Sequence, residues 1–205
     1  MMKKLLATVL VSLLIAAPAS AASVSRTYSY FSVGGRTFEE LQFELQSRGP
    51  KVKSTGLRHA GATRMEFNTR IKYGETAKRC KVVSANVSVK AQVILPRWTQ
   101  RRRAAADVRL FWDTLASDIK RHEESHVVIA RTHAREMEMA ISGIRPQSSC
   151  DAVAAEVKRV TQRIMAKHDR AQDEFDRVEG INFENRILRL MRYRIEQIDA
   201  GRIPG

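Results

Sequence analysis

From Ala104 to Ser142 the chain runs without a glycine or a proline, and this stretch constrains the fold more than any other feature. Apolar residues recur through it at helical spacing: Val108, Trp112, Leu115 and Ile119, then Ile129, Met137 and Ile141. The spacing predicts one long amphipathic helix. Between Ile119 and Ile129 the positions in phase with the stripe are His122 and His126. Both are expected to face the interior, where a polar side chain without a partner costs a few kcal/mol.

Two imidazoles four residues apart lie one above the other on a helix and can reach a single metal ion. Glu123 follows the first of them, where a carboxylate can take a proton from a water beside the metal. His122 to His126 thus reads His-Glu-x-x-His, the pattern of zinc metallopeptidases, and the expected cofactor is Zn2+. The plainer alternative is a pair of core histidines satisfied by hydrogen bonds; the inward pairing around a glutamate favours metal. Glu124 and Ser125 point away from the pair and read as solvated. His133 stands seven residues beyond His126, roughly 10 Å along the axis, too far for the same ion and therefore structural. His59 sits in a polar loop and carries no signal.

A catalytic zinc needs three protein ligands and an open position. After a break at Gly143 and Pro146, Asp151 opens a second helix with Val153, Val157, Val160, Ile164, Ala171, Phe175 and Val178 on one stripe. If the two helices form an antiparallel hairpin with residues 142 and 151 level, position 126 faces 167 and 122 faces 171. His168 is then the third ligand. A slip of one turn brings Gln172, Asp173 and Asp176 into range, and Asp176 is the alternative ligand.

The rest of the chain supplies a sheet. Arg26 to Val33 reads as a strand ending at Gly34-Gly35. Thr37 with Glu40 makes a capping box for a short helix that turns Phe38, Leu41 and Leu45 inward and stops at Gly49-Pro50. Residues 51–61 form a loop. Apolar and polar residues alternate over Arg64–Tyr73 and again over Val83–Leu95, predicting two amphipathic strands in a hairpin. The fold class is therefore α+β: an antiparallel sheet from the N-terminal half packed on a long antiparallel helix hairpin, with a further helix at the C-terminus.

Lys3 and Lys4, the apolar run Leu5–Ala17 and the small residues to Ala21 have the pattern of a cleavable signal peptide, 1–21. The run is too short for a membrane span. Removing it leaves 205 − 21 = 184 residues, with residues 22–182 as one domain and 183–205 as a basic tail. The expected location is periplasmic or secreted. In that oxidising setting Cys80 and Cys150, the only cysteines, are expected to form a disulfide.

The formal charge is +14, or 14 − 2 = +12 without Lys3 and Lys4, which favours polyanionic partners. Arg97-Trp98 and Arg101-Arg102-Arg103 form a basic knot, but one tryptophan is thin support for nucleic-acid binding, and export argues against it. Residues 184–199 read as a basic amphipathic helix, with Ile187, Met191, Ile195 and Ile198 opposite Arg186, Arg189 and Arg192. It either packs on the domain or docks to an anionic envelope surface.

From about Tyr30 to Gly180 the chain resembles a bacterial family of predicted secreted zinc-dependent proteases, catalogued as a domain of unknown function. The resemblance is carried by Val33-Gly34-Gly35 with Leu41, Arg48-Gly49-Pro50, Cys80, Leu95-Pro96-Arg97-Trp98, Trp112, the His122–His126 motif with Val127 and Ala130, Ser149-Cys150, and Phe175-Asp176. It implies a peptidase acting on peptide or protein substrates, with zinc on His122 and His126 and Glu123 catalytic. The family tends to continue with Thr-x-His-Gly, where this chain has Glu179-Gly180-Ile181-Asn182. If that histidine is the family's third ligand, His168 or Asp176 substitutes for it here. The alternative function is a catalytically degenerate, basic envelope-associated module with the same fold.

Overall fold

The computed structural model describes residues 22–52 and 55–204; the expected signal peptide, 1–21, lies outside the described residues. Strand β1 spans Ser23–Val33, helix α1 Phe38–Arg48, strand β2 Ala62–Thr76 and strand β3 Arg79–Trp98. Helices α2 (Ala106–Ser142), α3 (Cys150–Ile181) and α4 (Phe183–Asp199) follow. Among the described residues no helix is long and apolar enough to cross a membrane.

The sheet is mixed, which corrects the antiparallel expectation. Its order is β1-β3-β2: β2 and β3 form the hairpin, while β1 pairs with β3 in parallel, Ser23 with Ser88 through Val33 with Trp98. The reason is the crossing made by α1, which opens on Thr37, whose side chain accepts from the Glu40 N–H. This helix and its loop carry the chain across the end of the sheet where β1 finishes, so β2 begins at that same end, with Ala62 opposite Ile94. β1 then takes the free edge of β3 and leaves β2 as the opposite edge.

Alternation in β3 buries Ala85, Val87, Val89, Ala91, Val93 and Leu95. Two apolar clusters form on this face. One joins Val33, Leu41, Val93 and Leu95 to Trp98, Trp112, Leu115, Ile119 and Ile187. The other joins Ala85, Val87 and Val89 to Ala130, Ala134, Met137, Ile141, Val153, Val157, Val160 and Ile164. The His122–His126 turn lies between Ile119 and Val127 of the first cluster, just before α2 enters the second at Ala130. Burying each of the valines, leucines and isoleucines among them contributes about 1.5–3 kcal/mol.

The helix hairpin is longer at its closed end than even levels allow. Gln172 lies opposite His126 where 167 was expected, and Asp176 opposite His122 where 171 was expected. Each is a displacement of five residues, about 7.5 Å of helix. The connector is tied down beside it. Gln147 exchanges two backbone hydrogen bonds with Cys80 (3.0 and 2.9 Å), and Cys150 is joined to Cys80 by the disulfide. The chain must therefore reach the far end of the β2–β3 hairpin before Ser149, rather than Asp151, caps α3 by accepting from the Ala152 N–H.

α4 packs back on α2. Ile187 joins the first cluster, and Arg186 grips the buried Asp118 carboxylate at 3.1–3.2 Å. Arg194 reaches Asp113 at 3.5 Å.

Candidate metal centre

In the turn from His122 to His126, α2 serves two neighbours at once. The buried line runs through Ile119, Glu123, His126, Val127, Ala130 and Ala134, with His122 at its margin and Ile129 only half-buried. Glu123 faces β2, where the Thr63 hydroxyl lies 2.9 Å from both its backbone carbonyl and a carboxylate oxygen. His122 and His126 face α3. A carboxylate on the buried line was not foreseen from the stripe, which ran through the histidines instead.

The two histidines present their Nε2 atoms to one another at 3.1 Å, and Asp176 Oδ1 lies 3.2 Å from the first and 3.1 Å from the second. These three atoms form a nearly equilateral triangle, and His122, His126 and Asp176 together could hold a metal ion. Zinc with nitrogen and oxygen ligands at roughly 2.0–2.1 Å has tetrahedral edges of about 3.3–3.4 Å, so the triangle needs only a slight expansion to accept it. The donor set is chemically apt: two imidazoles and one carboxylate, converging on a point where only a proton or a cation balances them.

Electrostatics follow the same geometry. Burial opposes a charge on Asp176, but hydrogen bonds from His122 and His126 outweigh it and hold the carboxyl far below its usual range. Burial likewise opposes the His126 cation, yet bonds to Asp176 and Gln172 raise its pKa. Glu123 is pushed up, chiefly by burial, against the lowering effects of the Thr63 hydrogen bond and the two histidines. Such a carboxylate is a better base than a solvated one.

His168 does not join the triad. It is buried about two turns of α3 from Asp176 toward the closed end, between Gln172 Nε2 at 2.8 Å and Asp169 Oδ1 at 2.9 Å, with the Phe67 ring edge-on at 5.0 Å. Five residues of helix displacement carry His168 past His126 and put Asp176 at the level expected of residue 171, opposite His122. His133 caps its own helix turn at the Ile129 carbonyl and packs edge-on against His168. Cys80 and Cys150 are bonded to each other, with Cα atoms 5.0 Å apart. Glu124 departs from the solvated reading: Tyr28 of β1 donates to it, and Arg26 lies 3.5 Å away.

Beside the triad opens a cleft of about 460 Å³ lined by His122, Glu123, Asp176, Ile119, Phe183 and the loop residues His59 to Gly61. His59 and Glu179 were both missed in the sequence. His59 lies far from the motif in sequence and in a stretch without periodicity, so nothing there flags it. Glu179 Oε2 is 3.6 Å from His122 Nδ1 and is also bound by Arg121 and Arg186. Burial opposes its charge, but Arg121 and Arg186 hold its pKa below the usual value. Gly61 permits the close approach: a Cβ there would stand 2.8 Å from Glu123 Oε1 and from Ile119 Cγ2.

A profile of bacterial proteins of unknown function, DUF922, matches residues 28–184. No curated protein and no solved structure matches the chain. The matched span includes the whole triad, the disulfide and Thr63, and ends as α4 begins.

Proposed function

The chain belongs to the bacterial family DUF922, whose function is unknown, and for it we propose an exported, zinc-dependent peptidase. The observation that carries this reading is the triangle of donor atoms, 3.1–3.2 Å on each side, with Glu123 on the adjoining residue. His122, His126 and Asp176 hold the metal. When bound, zinc supplies Lewis-acid chemistry: it acidifies a water and polarises a carbonyl.

The chain's own groups do the rest. Glu123, steadied by Thr63 and raised in pKa by its burial, takes a proton from water and passes it to the departing amine. The cleft floor is apolar at Ile119 and Phe183, which suits a side chain of a bound peptide. β2 is an edge strand that starts next to Ala60 and Gly61, so an extended peptide can add to that edge and run into the cleft. The substrate is a peptide or protein met in the periplasm or outside the cell, and the basic surface draws the enzyme to anionic envelope components.

The test is elemental analysis beside peptide cleavage. The wild-type protein should carry one zinc per chain and cleave an unfolded protein substrate. Glu123→Gln should keep the zinc and lose roughly 10²- to 10⁴-fold in turnover. His126→Ala should lose both. Zinc without cleavage that depends on Glu123 would transfer the protein to the non-catalytic reading.

A further inference from the structure

Resting on the metal site proposed above, we propose that Gln172 is the positioning residue for His126, and that His168 with Asp169 holds Gln172 in the orientation that makes it so. The carboxamide makes four polar contacts, one of them from Nε2 to Met65 Sδ at 3.9 Å, and the other three together leave one assignment of protons. Gln172 Nε2 lies 3.2 Å from the backbone carbonyl of His126, which can only accept, so that atom is the NH2 group. The same nitrogen lies 2.8 Å from His168 Nε2, which must therefore accept as well. The His168 proton then sits on Nδ1, which donates to Asp169 Oδ1 at 2.9 Å.

With the NH2 group committed, the remaining Gln172 atom is the carbonyl oxygen, 2.5 Å from His126 Nδ1. His126 must donate there. In the protonated ring Nε2 donates to Asp176; once that proton leaves, the lone pair is on Nε2, the atom that stands 3.1 Å from both His122 Nε2 and Asp176 Oδ1. A four-residue chain, Asp169–His168–Gln172–His126, thus selects the tautomer whose free nitrogen points into the triad. His168 is buried against Phe67 and His133, which shields its bond to Gln172 from competing water, while Asp169 at the end of the chain is exposed. The histidine expected to bind metal instead orients the residue that orients a ligand.

Two measurements on the full chain test this. In the metal-free wild type, at a pH where the imidazoles are neutral, long-range 1H–15N correlation should find the His126 proton on Nδ1. In Gln172→Met that preference should disappear. Zinc affinity by competition with a chromophoric chelator should fall roughly 10- to 100-fold in Gln172→Met. Gln172→Glu keeps the acceptor for His126 Nδ1 but sets its other oxygen against the His126 carbonyl, so there the His126 proton should stay on Nδ1 whatever the zinc affinity, an outcome that lost packing alone does not predict.

An Nε2–H tautomer in the wild type would overturn the proposal. So would unchanged zinc affinity in Gln172→Met, or a His126 proton on Nε2 in Gln172→Glu. A wild-type protein that binds no zinc would sink the metal reading instead, and the tautomer measurement would still decide what Gln172 does.

Discussion

The Thr63 hydroxyl of β2 and the Glu123 carboxylate of α2, sixty positions apart, meet at 2.9 Å, and the same hydroxyl touches the Glu123 backbone carbonyl. The contact ties the proposed base to the sheet and lowers its pKa against the effect of burial. Thr63→Val should remove that lowering, so Glu123 takes up its proton at higher pH. The acid limb of the pH–rate profile should move upward with zinc content unchanged. A limb that stays in place would separate Thr63 from the base.

Gly61 gives a second handle on the same carboxylate. An added methyl would stand 2.8 Å from Glu123 Oε1 and 3.0 Å from its Cγ. Gly61→Ala should displace the carboxylate and reduce kcat by roughly tenfold to a hundredfold while zinc stays bound, since small misplacements of a reacting group are costly. Turnover equal to wild type would show that the carboxylate has room to spare.

Asp176 governs how the metal-free protein responds to pH. Its folded pKa is depressed, so its contribution is present above the unfolded value of 3.8 and is lost as pH falls through the folded value. The His126 folded pKa is raised, so its contribution is present below 6.5 and is lost as pH rises through the folded value. Both hold between 3.8 and 6.5. Thermal melts of the zinc-free protein should show a maximum in that window, and Asp176→Asn should flatten it. In the same variant zinc binding should weaken sharply, because one of three ligands loses its charge.

The disulfide reports on the hairpin offset. It closes a loop of sequence separation 70, worth about 4 kcal/mol in the chain-entropy account. Cys80→Ser with Cys150→Ser should therefore lower the denaturation free energy by about that amount. It should also weaken zinc binding, because the tether sets the level at which Asp176 meets the histidines. Stability loss with zinc affinity intact would show that the helix packing alone holds the level.

Local patterns in the chain were sufficient for much of this protein. The long helix follows from its unbroken periodicity, the β2–β3 hairpin from alternation, and the α1 cap from Thr37, because each depends on residues a few positions apart. That His122 and His126 meet was legible for the same reason: their spacing alone puts them on one face. The cysteine pairing needed only that there were two.

What distant segments do to one another was decided by the tertiary structure. Asp176 rather than His168 meets the two histidines because α3, which starts at the Cys80 tether, is displaced by five residues, a length no periodicity encodes. β1 runs parallel to β3 because of where α1 sets the chain down. Glu123 is held by Thr63, and His126 by Gln172, through contacts made across sixty and forty-six positions. Sequence periodicity specifies which face of an element is buried, but the axial position of one element against another depends on packing and cross-links, and at this site a shift of 7.5 Å exchanges an imidazole for a carboxylate.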